Sequence, residues 1–205
     1  MLQANTSQPL SGRSVELDDG ELRELPCCGK LVLRCDSEDA ATLAAINRSG
    51  ITLPTQANTC HTFARGRVIW MGPDEWLLHS DRDPAASEWT NFTDSLAENL
   101  QGFHSAQVDV SDYYTLLQLT SSNASAILAR SCPLDLIDVA TKENGCAQTR
   151  LGNAAVLLLP IESQRISDKK TADPTNIAGW TIQVRWSYAD YVWKMLERSA
   201  ISFSL

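Results

Sequence analysis

Asp109, Ser111 and Asp112 cluster in the run Val108-Asp109-Val110-Ser111-Asp112, near the middle of a 205-residue chain. Two carboxylates beside a hydroxyl can move a proton or hold a polar ligand. The same residue types also build turns, because Asp and Ser side chains bond nearby backbone amides. Carboxylates at this spacing are common in turns, so turn chemistry is the preferred reading, with Asp109 the one carboxylate to test as a ligand-binding group. His61, His79 and His104 are dispersed, and none has an obvious partner in sequence. Cys60 and His61 are the sole close His–Cys neighbours, which argues against zinc. Walker, Gly-x-Gly-x-x-Gly, Gly-x-Ser-x-Gly and His-Glu-x-x-His patterns do not occur. The residues alone therefore assign no catalytic, cofactor-binding or metal-binding side chain.

Aromatics are the unusual feature. The chain holds 6 tryptophans, at positions 70, 76, 89, 180, 186 and 193, and its arginines outnumber its lysines. Core packing accounts for most buried tryptophans. Exposed Trp, Tyr and Arg instead characterise protein interfaces, where they are enriched.

The elements that must position these groups read as strand–helix units. Residues 31–35 form a short apolar strand. Asp36 or Ser37 can then cap a helix that turns Ala40, Leu43, Ala44 and Ile46 inward and stops at Ser49-Gly50. Apolar stretches on either side of Gly72-Pro73-Asp74-Glu75 predict a hairpin, with proline at the second turn position. Asp83-Pro84 reads as the start of a helix carrying Ala85, Trp89, Phe92, Leu96 and Leu100 on one stripe. Residues 108–136 read as strand, turn, strand and helix. Ser121 or Ser122 would cap that helix, and Cys132-Pro133 would end it. Two strands surround Gly152-Asn153, a polar loop covers 161–178, and Trp180, Ile182, Val184 and Trp186 alternate in a further strand. A last helix places Tyr188, Tyr191, Val192, Met195 and Leu196 on one face.

Set side by side, the stretches predict an α+β protein of two similar ferredoxin-like βαββα halves, duplicated with a period near 86 residues. The expected divisions are a flexible N-terminal arm at 1–25, a first half at 26–105 and a second half at 106–205 that contains the 161–178 loop.

A net charge of −8 and a pI near 4.8 disfavour nucleic acid and anionic membrane as partners. No apolar run reaches transmembrane length, and the first twenty residues lack a signal-peptide core, so the expected compartment is the cytoplasm. The 6 cysteines form no Cys-x-x-Cys pair and are expected to be free and mostly buried.

Five stretches in order resemble the gamma subunit of heterotetrameric sarcosine oxidase. They are Trp70-Met71-Gly72-Pro73-Asp74-Glu75-Trp76-Leu77-Leu78, Val108-Asp109-Val110-Ser111-Asp112, Ser131-Cys132-Pro133-Leu134-Asp135-Leu136, Gly145-Cys146-Ala147-Gln148-Thr149 and the run from Arg185 to Trp193. That family is similar in turn to the folate-binding domain of the glycine-cleavage T protein. The resemblance implies a non-catalytic accessory subunit of an enzyme that oxidatively demethylates sarcosine to glycine. The other products would be hydrogen peroxide and either formaldehyde or methylene-tetrahydrofolate. It further implies that FAD and FMN sit on a beta subunit, NAD and tetrahydrofolate on an alpha subunit and zinc on a delta subunit, with no cofactor on this chain. The T-protein pattern of Asn-Gly-Gly followed by paired aspartates is missing, since residues 145–156 contain Gly152-Asn153 and no acidic residue. The alternative is a stand-alone folate-binding or aminomethyltransferase-like protein that relies on Asp109.

Overall fold

The computed structural model describes residues 8–162 and 177–202. The chain opens on an antiparallel hairpin of β1 (Ser14–Leu17) and β2 (Gly20–Glu24). Alternation puts Val15, Leu17 and Leu22 toward the core, and Leu22 is fully buried. Gly20 is required where it stands, because a Cβ there would lie 1.8 Å from the carbonyl oxygen of Thr120. Part of the expected flexible arm is thus a paired element. Two carboxylates at its turn, Asp18 and Asp19, hide three inward apolar residues from a composition reading.

Contacts divide the chain into two compact units, Cys27–Ser111 on one side and Met1–Pro26 with Asp112–Leu205 on the other. The first contains β3 (Lys30–Cys35), α1 (Ala40–Arg48), β4 (Cys60–Phe63), β5 (Gly66–Gly72), β6 (Glu75–Ser80), α2 (Ser87–Asn99) and β7 (Ser105–Asp109). Its five strands run β4-β5-β6-β3-β7, all antiparallel. Leu31, Leu33, Val68, Trp76 and Leu78 pack beneath Ala45, Ile46, Trp89, Phe92 and Leu96 of the helices. The hairpin around Pro73-Asp74 forms as expected, with Trp70 opposite Trp76. The cap of α1 is Asp39 rather than Asp36 or Ser37. Its carboxylate accepts from Ala41 N at 3.2 Å and Thr42 N at 3.1 Å, and the Thr42 hydroxyl bond, then these amide bonds, hold it below the usual aspartate range. Helix α2 begins three residues after Pro84, since Asp83 spends its carboxylate on Ala85 N in a turn at 2.7 Å, and Ala85 is exposed ahead of the buried stripe rather than part of it.

The second unit adds β8 (Tyr114–Thr120), α3 (Ala124–Ala129), α4 (Leu136–Thr141), β9 (Ala147–Leu151), β10 (Ala154–Glu162), β11 (Ile177–Arg185), a 3-10 turn at Trp186–Tyr188 and α5 (Ala189–Ile201). Its sheet order is β1-β2-β8-β11-β10-β9, again antiparallel. Trp180, Ile182, Val184, Trp193 and Leu196 are all fully buried in its core.

Both units show the same wiring. A first strand (β3 or β8) leads through helix to a three-stranded meander whose last strand returns beside the first, and a helix follows. Leaving out the outer strands β4 and β9, the order is that of a ferredoxin-like sheet. The first half is therefore βαβββα and the second, which has both α3 and α4 after its first strand, βααβββα, rather than βαββα. The place beside the first strand is filled by β7 in one unit and by β2 in the other, and the division falls at Ser111 rather than 105 because β7 completes the earlier sheet.

Further differences from the expected elements are local. Asn123, not Ser121 or Ser122, precedes α3, and α4 follows Pro133 under its own cap, Asp135, whose carboxylate accepts from Ile137 N at 2.9 Å. Of the expected 161–178 loop, the backbone at Ile161, Glu162 and Ile177 onward is strand, and residues 163–176 lie outside the described residues. In α5 the buried stripe is Ala189, Val192, Trp193, Leu196 and Ala200, while Tyr188 and Tyr191 are exposed.

Candidate functional site

The groups singled out by type do not converge. Asp109 is exposed at the end of β7, and its Oδ1 accepts from Ser111 N at 2.8 Å, which is turn chemistry. Ser111 is buried, and its Oγ accepts from Lys30 N at 2.9 Å. Lys30 is itself 1% exposed, and its Nζ donates to Cys28 O at 3.1 Å and Ser111 O at 3.4 Å. These bonds satisfy a buried ammonium with carbonyls and tie the start of β3 to the end of β7. Burial pushes the Cys28 thiol up, with Lys30 opposing it. His61 Nδ1 lies 3.1 Å from Thr52 O, and His79 is buried on β6.

His104 lines a cleft of 470 Å³ with Arg34, Cys35, Asp36 and Asp74. Burial, with Asp36 and then Asp74, raises the Cys35 thiol to about 11, so it stays protonated and unreactive at neutral pH. Among the described residues, no three of His, Cys, Asp and Glu are gathered closely enough to hold a metal ion. No described helix is long and apolar enough to cross a membrane. None of the cysteines is in a disulfide, Cys27 being half-buried and the others buried.

What does converge is aromatic. At one end of the six-stranded sheet, Tyr113 is 45% exposed, Trp186 37%, Tyr188 41% and Tyr191 41%. Strand pairing sets Arg185 opposite Tyr114, and Trp186 N donates to Tyr113 O at 3.0 Å, so the start of β8 and the end of β11 present adjacent side chains. The Arg185 guanidinium lies 5.1 Å from the Tyr113 ring centre, and Tyr113 meets Tyr114 edge-on at 4.7 Å. On the adjoining turn and helix, Tyr188 and Tyr191 meet edge-on at 6.4 Å. The Tyr191 hydroxyl accepts from Asn153 N at 3.2 Å, across the Gly152-Asn153 turn between β9 and β10. These contacts brace the rings of Tyr113, Tyr188 and Tyr191, which lowers the ordering entropy they lose on association. Tyr, Trp and Arg on a pre-ordered surface are the residues that dominate protein interfaces. A second apolar surface feature, a groove of 560 Å³ between α3 and α4, is flanked by Leu134 and by Ile137, which is 57% exposed.

The sequence pointed to aromatics as a class but missed this set. The spacing of Tyr188 and Tyr191 fits a buried stripe as well as an exposed one, and only the seating of Trp193 decides between them.

A family model described as sarcosine oxidase, gamma subunit family, matches residues 34–202. The sarcosine oxidase subunit gamma of Corynebacterium sp. (strain U-96) is 31% identical over 142 residues, covering 67% of this chain and 64% of the relative. That of Arthrobacter sp. is 31% identical over 138 residues, covering 67% and 65%. The chain thus spans a little under two thirds of these relatives' own length. In solved structures, a chain of the heterotetrameric sarcosine oxidase from Corynebacterium sp. U-96, in complex with pyrrole 2-carboxylate, superimposes with a TM-score of 0.75 at 25% identity, over 97% of this chain and 96% of that one. The glycine cleavage system aminomethyltransferase T from Bartonella henselae superimposes with a TM-score of 0.54 at 11% identity, over 84% and 44%, a likeness of fold alone. The expected gamma-subunit resemblance and the T-protein-like fold are both borne out. The chain belongs to the sarcosine oxidase gamma subunit family.

Proposed function

We propose that this chain is an accessory subunit of a heterotetrameric sarcosine-oxidase-type flavoenzyme, which demethylates sarcosine oxidatively to glycine in the cytoplasm. Its partners are the alpha, beta and delta subunits, and FAD, FMN, NAD, zinc and tetrahydrofolate belong to those chains rather than to this one. The observation that carries the reading is the ordered, exposed aromatic end of the six-stranded sheet, on a chain whose carboxylate candidate, Asp109, is engaged in a turn. Its role is to dock, and through docking to hold the assembly together.

Purification of the tagged chain from its native cells tests the proposal. The expected result is a set of larger subunits with a flavin absorption spectrum and sarcosine-dependent peroxide production. Recovery of the chain alone, colourless and binding tetrahydrofolate, would overturn it in favour of a folate protein.

A further inference from the structure

β7 is the last strand of its five-stranded sheet and pairs with β3 on one side, and among the described residues no strand pairs with its other side. Val110 N donates to Lys30 O at 2.9 Å. Alternation along an antiparallel ladder then makes Val108–Val32 and Ala106–Arg34 the bonded pairs, and turns the backbone N–H and C=O of Gln107 and Asp109 to the open edge. Protected edges carry charged side chains, lysine above all, or proline or a bulge. β7 reads Ser-Ala-Gln-Val-Asp, its one charge at the last residue, Asp109, with neither lysine nor proline, and its register with β3 is unbroken. Val108 is 53% exposed on it.

The other unit shows what such an edge can take. There β2 holds the place that β7 holds here, beside the first strand of the half, and β1 lies beyond it in four antiparallel residue pairs. One copy of the duplicated sheet is extended by a strand at this position, and the other is open among the described residues.

We propose that β7 accepts an additional antiparallel strand from another subunit of the oxidase, an inference that rests on the accessory-subunit reading. Backbone bonds to Gln107 and Asp109 would supply affinity, as in other strand-addition complexes. The incoming segment is extended, with an apolar side chain beside Val108 and polar or basic ones on the face of Gln107 and Asp109.

Hydrogen exchange on the full chain, alone and in the purified complex, tests this. The amides of Gln107 and Asp109 are expected to exchange at least about tenfold more slowly in the complex, whereas that of Val108, already bonded to β3, changes little. Val108→Lys, and Gln107→Pro at an outward-facing amide where proline is tolerated, should lower recovery with the partner subunits about tenfold. Thr62→Lys on the far edge strand β4 should leave recovery unchanged. Equal exchange of the β7 amides in the free and assembled wild-type chain overturns the inference while leaving the accessory role intact. Protection that appears in the isolated chain and grows with its concentration assigns the edge to a second copy and overturns it too. A wild-type chain that recovers no flavin-bearing partner removes both readings. The wild-type exchange comparison stands even if a variant fails to fold.

Discussion

The hydroxyl of Thr115 donates a 2.9 Å hydrogen bond to Oε1 of Glu24, joining the first strand of the second half to a carboxylate 91 residues earlier. Glu24 is 5% exposed, and the same carboxylate accepts from Gly12 N at 2.8 Å and Leu10 N at 3.2 Å. Ser11 and Gly12 have φ of 57° and 70°, a left-handed pair that turns these amides toward one anion. The N-terminal hairpin is therefore locked to β8 by a buried charge as well as by its ladder.

Glu24→Ala removes the acceptor from two backbone amides and a hydroxyl at once. The expected loss is about 2–3 kcal/mol, as for buried bonds to a charged group. It should fall on the hairpin, read as faster exchange of the Val15 and Leu22 amides relative to those of β11. Equal acceleration across β11 would mean that the carboxylate supports the whole unit rather than the hairpin.

Asp19 gives this attachment an acid dependence. Its carboxylate accepts from the Ser122 hydroxyl, from Ser121 Oγ at 2.7 Å and from Ser122 N at 2.9 Å. The Ser122 hydroxyl bond, then that of Ser121, holds its pKa below the ordinary 3.8. A depressed folded pKa contributes stability that is fully present above the unfolded value and lost as pH falls through the folded one. Acidification below 3.8 should therefore lower the thermal midpoint of the wild-type chain more than that of Asp19→Asn, which has already lost the anion. Parallel midpoint curves for the two proteins would show that the contacts carry no free energy.

Much of this architecture was legible in the residues. Trp180, Ile182 and Val184 alternate with polar neighbours and are fully buried on one face of β11, and Pro73-Asp74 turns the hairpin between β5 and β6. Elements that were missed are those whose stabilisation is tertiary. Helix α4 has six residues, too few to show a period, and exists by virtue of the Asp135 cap and the burial of Leu136 and Val139. The hairpin of β1 and β2 buries only a few apolar side chains, and Glu24 gains its meaning from Thr115. The aromatic end was unreadable for a similar reason, because Trp180 and Trp193 are fully buried whereas Trp186 is not, and nothing local separates them.

Those two buried tryptophans differ in one respect that mutation can expose. Trp180 Nε1 donates to Ser125 Oγ at 3.0 Å, whereas Trp193 Nε1 has no hydrogen-bond acceptor among the described residues. Phenylalanine at either site leaves a similar void, but at 180 it also removes a hydrogen bond to the half-buried Ser125 hydroxyl, whereas at 193 it removes a buried N–H that has no acceptor among the described residues. Trp180→Phe is thus expected to cost about 1 kcal/mol more than Trp193→Phe. The Arg13 guanidinium, 4.9 Å from the Trp193 ring centre, narrows the gap by a few tenths, since it packs less favourably on phenylalanine. Urea midpoints of the two variants measure the difference, and a Trp193→Phe protein the less stable of the two would contradict it.

The aromatic end makes the sharpest demand on the docking role. Tyr113 and Tyr188 are each more than 40% exposed, at 45% and 41%, so truncating them should change the stability of the free chain only slightly. An interface anchor of this type contributes about 2 kcal/mol, and its loss weakens association about 30-fold. Tyr113→Ala and Tyr188→Ala should each show that loss when the chain is titrated into the proposed partner subunits, with thermal midpoints near that of wild type. Ile201→Ala, 57% exposed at the opposite end of α5, should bind as wild type does. Should both tyrosine variants bind undiminished while Ile201→Ala fails, the partner sits at the far end of the helix, and the ordered rings have some purpose other than docking.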